Sequence, residues 1–110
     1  MPKLSPFIAP GEQAVVSRVR PANRARFYRA QAGATVTKLI SYDPKRISLL
    51  ILNTGVVTVE LSQTQGGAVV GGAEAFPLLG GAFITIDAYT GEIYAISTAP
   101  VMLGIIDQGL

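Results

Sequence analysis

The chain has no cysteine, no histidine and no tryptophan. Without thiols no disulfide can staple the fold and no thiolate can act as nucleophile. Without imidazole the usual zinc sites and every triad that needs a histidine base are excluded. Charge is scarce as well: Asp, Glu, Lys and Arg make up 15% of the residues, against about 25% in an average soluble domain. The apolar share, 49%, is ordinary, so the deficit falls on solvated surface, part of which is expected to be covered by other protein. Long apolar runs are missing too. The longest, Ala99 to Ile106, includes Pro100 and Gly104 and falls far short of the roughly 18 residues of a membrane span. Met1 to Pro10 carries one Lys and is interrupted by Pro6 and Pro10, which does not read as a secretory signal. A membrane is not an expected partner.

What is present suits one small domain. A chain of 110 residues buries one core. Its charges are segregated along the sequence: all nine Lys and Arg lie between Lys3 and Arg46, opposed there only by Glu12 and Asp43, while Ile47 to Leu110 holds five acids and no base. A basic block of this kind serves either as an arm contacting phosphates or as a partner for the acidic half of the same or a neighbouring subunit. A net charge of +2 and the absence of lysine clusters favour the second role, and nucleic acid is not an expected partner.

Short apolar, β-branched runs separated by Gly, Pro and Asn at spacings near ten residues predict an all-β fold, a small antiparallel β-sandwich or jelly-roll-like barrel. The expected strands are Thr35 to Ser41, Arg46 to Asn53, Val57 to Ser62, Phe83 to Asp87, Glu92 to Ser97 and Val101 to Asp107, with weaker candidates at Ala14 to Val19 and Ala68 to Val70. Arg46 to Asn53 is almost continuously apolar and reads as buried on both faces. Asn53-Thr54-Gly55 and Tyr89-Thr90-Gly91 read as tight hairpin turns with Gly available for positive φ. Gln65 to Ala75 reads as a long mobile loop. Pro21 to Gln31 suits either a short helix or an extended strand, and the extended reading is preferred. Residues 1–13 are too rich in proline for a regular element and read as an extended arm preceding a single domain over residues 14–110.

Chemical motifs are few. Gly67 to Gly72 lacks the Lys-Ser or Lys-Thr that a phosphate loop needs. Asp87 and Glu92 could approach one another as a carboxylate pair, but they read as a turn residue bonding its own backbone and a solvated side chain. The four tyrosines, Tyr28, Tyr42, Tyr89 and Tyr94, are scattered and read as core or interface anchors. No catalytic, cofactor or metal-binding residue is expected, and the chain reads as not an enzyme.

Arg46 to Gly55 and Gly80 to Ser97 resemble small β-sandwich virion proteins of tailed bacteriophages, in which a basic residue, a hydrophobic strand and an Asn turn are followed by a Gly-corner strand, a Tyr-Thr-Gly turn and a strand ending in Ala-Ile-Ser. The resemblance covers about half of the chain and implies a structural protein. Its leading form is a capsid decoration or cement protein, made in the host cytoplasm and resident on the capsid surface, with the major capsid protein as partner and a homotrimer as the expected state. A receptor- or glycan-binding module of a head or tail fibre, and a small nucleic-acid-binding barrel using the arginines, are the alternatives. The expected contact residues are Pro6, Phe7, Ile8 and Pro10 in the arm, and Arg18, Arg20, Arg24, Arg26 and Arg29 in the basic segment.

Overall fold

A computed structural model describes residues 24–110. The expected arm, the candidate strand Ala14 to Val19 and the contact residues Pro6, Phe7, Ile8, Pro10, Arg18 and Arg20 lie outside the described residues. Eight strands follow in order: β1 (Arg24–Ala32), β2 (Thr37–Ile40), β3 (Arg46–Asn53), β4 (Val59–Ser62), β5 (Phe76–Leu78), β6 (Phe83–Asp87), β7 (Ile93–Ser97) and β8 (Val101–Gly109). They form two four-stranded antiparallel sheets, β1-β8-β3-β6 and β2-β7-β4-β5, packed as a sandwich. This is the eight-stranded double Greek key of a jelly roll.

The topology corrects the turn readings. Among consecutive strands only β4 and β5 share a sheet, so Asn53-Thr54-Gly55 and Tyr89-Thr90-Gly91 carry the chain from one sheet to the other and close no hairpin. Neither Gly55 nor Gly91 needs positive φ. Among the described residues the left-handed ones are Gly71, Gly81 and Ala88, at φ 71°, 81° and 61°. Pro21 to Gln31 resolves as extended over its described part, which is most of β1. The candidate at Ala68 to Val70 forms no strand and leads into a turn at Val70, with Ala68 buried. The surrounding loop is a chain of hydrogen-bonded turns, among them Gly72 N–H to Val69 O at 2.8 Å and Gly67 N–H to Thr64 Oγ1 at 3.0 Å. β5 had no sequence signal, because three residues centred on Pro77 show no alternation.

Strand alternation fills the core. Leu49 and Ile51 of β3, Val59 and Leu61 of β4, Ile93 and Ala95 of β7, and Val101, Leu103 and Ile105 of β8 point between the sheets and are buried together with Ile40 and Leu78. β3 is therefore buried on one face only. Leu50 and Leu52, expected to be covered by the protein's own layers, are half-exposed on its outer side. Truncating Ile51 to Ala should destabilise by about 2–5 kcal/mol, the usual cost of a core cavity, whereas Leu52→Ala should cost about 1 kcal/mol or less. Urea denaturation of the two variants checks the facing of the strand. Equal losses would mean that the face assignment is wrong.

Candidate docking face and charge network

The two outer faces of the sandwich differ in kind. Cross-strand register sets the first sheet's outer side as rows of directly opposed residues, which on one face lie about 4.5–5.5 Å apart. One row runs Phe27, Ile106, Leu50, Thr85, and the next runs Arg29, Gly104, Leu52, Phe83. Phe27 is 73% exposed, Phe83 64% and Met102 41%. Gly104 leaves a notch between Arg29 and Leu52, so the rows enclose a shallow groove of about 320 Å³ lined by Phe27, Arg29, Leu50, Leu52 and Ile106. On the second sheet, register and alternation place Lys38, Tyr94, Glu60 and Ile96 outward. There the Lys38 ammonium meets Glu92 at 3.0 Å, and the Tyr94 hydroxyl donates to the same carboxylate at 2.8 Å. An apolar patch on one sheet and a charged lattice on the other mark the first as the surface that gains from being covered.

The missing surface charge is spent at one end of the sandwich. β3 pairs with β8 through a register shift between Arg46 and Ser48. The bulge turns Arg46 out of phase with Ser48 and Leu50 and aims it inward. Its guanidinium, 4% exposed as a residue, donates to the carbonyls of Ser41, Tyr89 and Gly91, and its Nε stands 3.5 Å from Asp107 Oδ1. The other oxygen of Asp107 accepts from Arg26 Nη2 at 3.0 Å. Arg24 pairs with Asp43 at 2.9 Å, and Arg26 lies 3.7 Å from that same carboxylate. Arg26, Asp43, Arg46 and Asp107 line a polar cleft of about 410 Å³ shared with Tyr28 and Tyr42. Burial raises the Tyr28 phenol above its ordinary pKa, and the Asp107 charge adds to the effect.

The expected contact arginines thus divide. Arg24 and Arg26 face acids of their own chain, and Arg29 stands on the apolar face with no ion pair among the described residues. Asp87 does not bond its own backbone: its Oδ1 accepts from Ser48 Oγ at 3.0 Å. Glu92 is held by Lys38 and Tyr94, so the two acids engage separate partners. Phe27, Leu50, Leu52, Phe83, Met102, Gly104 and Ile106 were not singled out as contacts. The signal available in the sequence was the lack of polar alternation in β3 and in the Val101 to Ile106 run.

No family model matches the sequence, and no curated protein matches it. Among solved structures, the crystal structure of protein NMB1881 from Neisseria meningitidis superposes with a TM-score of 0.50 at 5% identity, over 93% of this chain and 100% of that one. A chain from Bacillus endospore appendages, described as disulfide-linked pili, superposes with a TM-score of 0.43 at 12% identity over 79% of this chain and 87% of that one. The first likeness is one of fold alone.

Two predictions follow from the network. Asp107→Asn leaves the buried Arg46 without its counter-charge and should cost about 3–5 kcal/mol, measured by urea denaturation. A loss under about 1 kcal/mol would show the pair to be dispensable. The second concerns pH. The Lys45 N–H, donating at 3.0 Å, and then the Arg24 guanidinium hold the Asp43 carboxyl below its ordinary range against some desolvation. The Tyr94 hydroxyl and then Lys38 do the same for Glu92. Groups with depressed pKa contribute fully above their unfolded values, 3.8 and 4.5, and lose that contribution as pH falls through the folded ones. Lys38 and Tyr94 are raised by Glu92 and lose theirs only as pH rises through their folded values, above ordinary values of 10.5 and 10.0. The melting temperature should be level near neutrality, fall on acidification below about pH 4, and fall less in Asp43→Asn, as read by circular dichroism. An unchanged acid limb in that variant would remove Asp43 from the account.

Proposed function

We propose that this chain is a structural virion subunit of a tailed phage, a capsid decoration protein that self-associates and seats the outer face of its β1-β8-β3-β6 sheet on the assembled shell, without catalytic chemistry. The observation that carries the reading is the contrast between the faces: Phe27, Ile106, Leu50, Leu52 and Phe83 form an apolar face whose charged members, among the described residues, are Arg29 and Asp87, at its margins. The jelly-roll topology supports it by analogy, since capsid proteins use this fold, as do lectins. Among the described residues no group of three or more acids could hold a metal ion, and no helix is long and apolar enough to cross a membrane.

The fibre reading keeps one observation of its own. Tyr42, 62% exposed, stands at the polar cleft beside Asp43 and Arg26, an aromatic next to hydrogen-bonding groups such as a sugar site uses. The nucleic-acid reading is weakened, because Arg24 and Arg26 are committed to Asp43 and Asp107.

Gly104→Glu separates these readings. A Cβ at Gly104 would meet only Thr54 Cγ2 at 3.8 Å and Leu52 Cβ at 3.9 Å, so the side chain fits and fills the groove of the apolar face with a bulky polar group opposite Arg29. The wild-type protein should co-sediment stoichiometrically with undecorated phage shells, and Gly104→Glu should bind at least about tenfold more weakly, equivalent to about 1.4 kcal/mol, with an unchanged melting temperature. Equal binding by both would move docking off this face. Binding to glycans, or to DNA with a steep salt dependence, in place of shells would replace the reading.

A further inference from the structure

A sandwich exposes four sheet edges, and three of these are short or blunted. β5 has three residues, one of them Pro77. β2 has four and a register shift. β6 has five. The fourth edge, β1, runs nine residues in unbroken register with β8, from Arg24 opposite Gly109 to Ala32 opposite Val101. It has no proline and no bulge, and among the described residues no strand pairs with its other side. A long regular edge is a template for another strand, which is why folds normally disarm such edges.

We propose that two copies of the chain pair through β1, antiparallel about a two-fold axis at Tyr28, joining their four-stranded sheets into one continuous sheet. The argument is self-complementarity. With all nine residues of β1 paired, Tyr28 lies opposite Tyr28 of the second copy. Phe27 then lies opposite Arg29 and Arg29 opposite Phe27, both on the outer face, where each guanidinium can rest on an aromatic ring. Arg24 and Arg26 fall opposite Ala32 and Ala30, and both already hold acids of their own chain.

Other registers are worse. A slip of one residue sets outward residues against inward ones. A slip of two in one direction sets Arg29 against Arg29, a like-charge opposition. A slip of two in the other direction pairs only seven of the nine residues of β1 with one another. The favoured register also fuses the outer faces of the two copies. A shell with a matching two-fold would then engage both at once and gain avidity, although the pairing itself needs no shell.

The absence of cysteine gives a clean test, since any introduced thiol is the only one present. Full-length Tyr28→Cys, oxidised at micromolar concentration, should give a disulfide-linked dimer. Phe27→Cys alone should stay uncrosslinked, and the double variant Phe27→Cys with Arg29→Cys should crosslink again. Phe27→Lys, which faces Arg29 of the second copy, should weaken dimerisation at least tenfold in analytical ultracentrifugation without lowering the melting temperature. A full-length protein that is monomeric at micromolar concentration overturns the proposal. So does a trimer, the state expected by analogy, and so does a dimer whose Tyr28→Cys form does not crosslink. A trimer, or a dimer whose Tyr28→Cys form does not crosslink, leaves self-association and shell binding intact, and loss of shell binding can stand beside an intact dimer, so the two proposals fail separately.

Discussion

A buried guanidinium at the start of β3 is the constraint on which the rest of the fold depends. Because most consecutive strands lie in opposite sheets, the chain crosses between the layers repeatedly, and each crossing leaves carbonyls that no ladder satisfies. Arg46 answers three of them, at Ser41, Tyr89 and Gly91, and reaches β8 and the edge strand β1 through Asp107 and Arg26. The other end of the same strand is finished in the same manner. Asn53 is fully buried, its amide donates to Val57 O at 2.8 Å and Leu78 O at 2.9 Å, and its Oδ1 accepts from Gly55 N–H. β3 is thus an apolar strand pinned by one polar side chain at each end, and the second pin ties it to β5 of the opposite sheet.

The same economy connects fold to function. With a small stock of charge, most bases of the described chain are turned onto its own acids: Arg24 onto Asp43, Arg26 and Arg46 onto Asp107, Lys38 onto Glu92. Solvated charge is thereby withdrawn from the β1-β8-β3-β6 face, and its Phe, Leu and Ile side chains are left exposed or half-exposed. The apolar face and the internal charge network are two aspects of one allocation, and this is the physical ground for reading the molecule as an assembly component.

Much of the architecture is legible in the sequence because alternation along Val59 to Leu61 and Ile93 to Ser97 leaves little choice of facing. The topology is less so. Asn-Thr-Gly and Tyr-Thr-Gly carry the composition of hairpin turns, yet the chain conformation they serve is a crossing between layers, a distinction that only tertiary packing makes. Continuous apolar character in Arg46 to Asn53 was compatible with burial on both faces or with an outer face awaiting a partner, and hydropathy cannot separate these. Arg46 looked like one more basic residue, because the bulge that turns it inward has no residue signature. Of the candidate site, Arg29 was named among the contact residues, whereas Phe27 and Gly104 emerge only when register sets β1, β8 and β3 side by side.

Hydroxyl-radical footprinting of the protein free and bound to undecorated shells tests the account most directly, because the oxidisable side chains are distributed between the surfaces. Phe83 and Met102 lie on the apolar face, and Tyr42 and Phe76 lie away from it, all four exposed. The account predicts that Phe83 and Met102 lose reactivity on binding while Tyr42 and Phe76 keep theirs. Protection of Tyr42 or Phe76 with Phe83 and Met102 unchanged would contradict it.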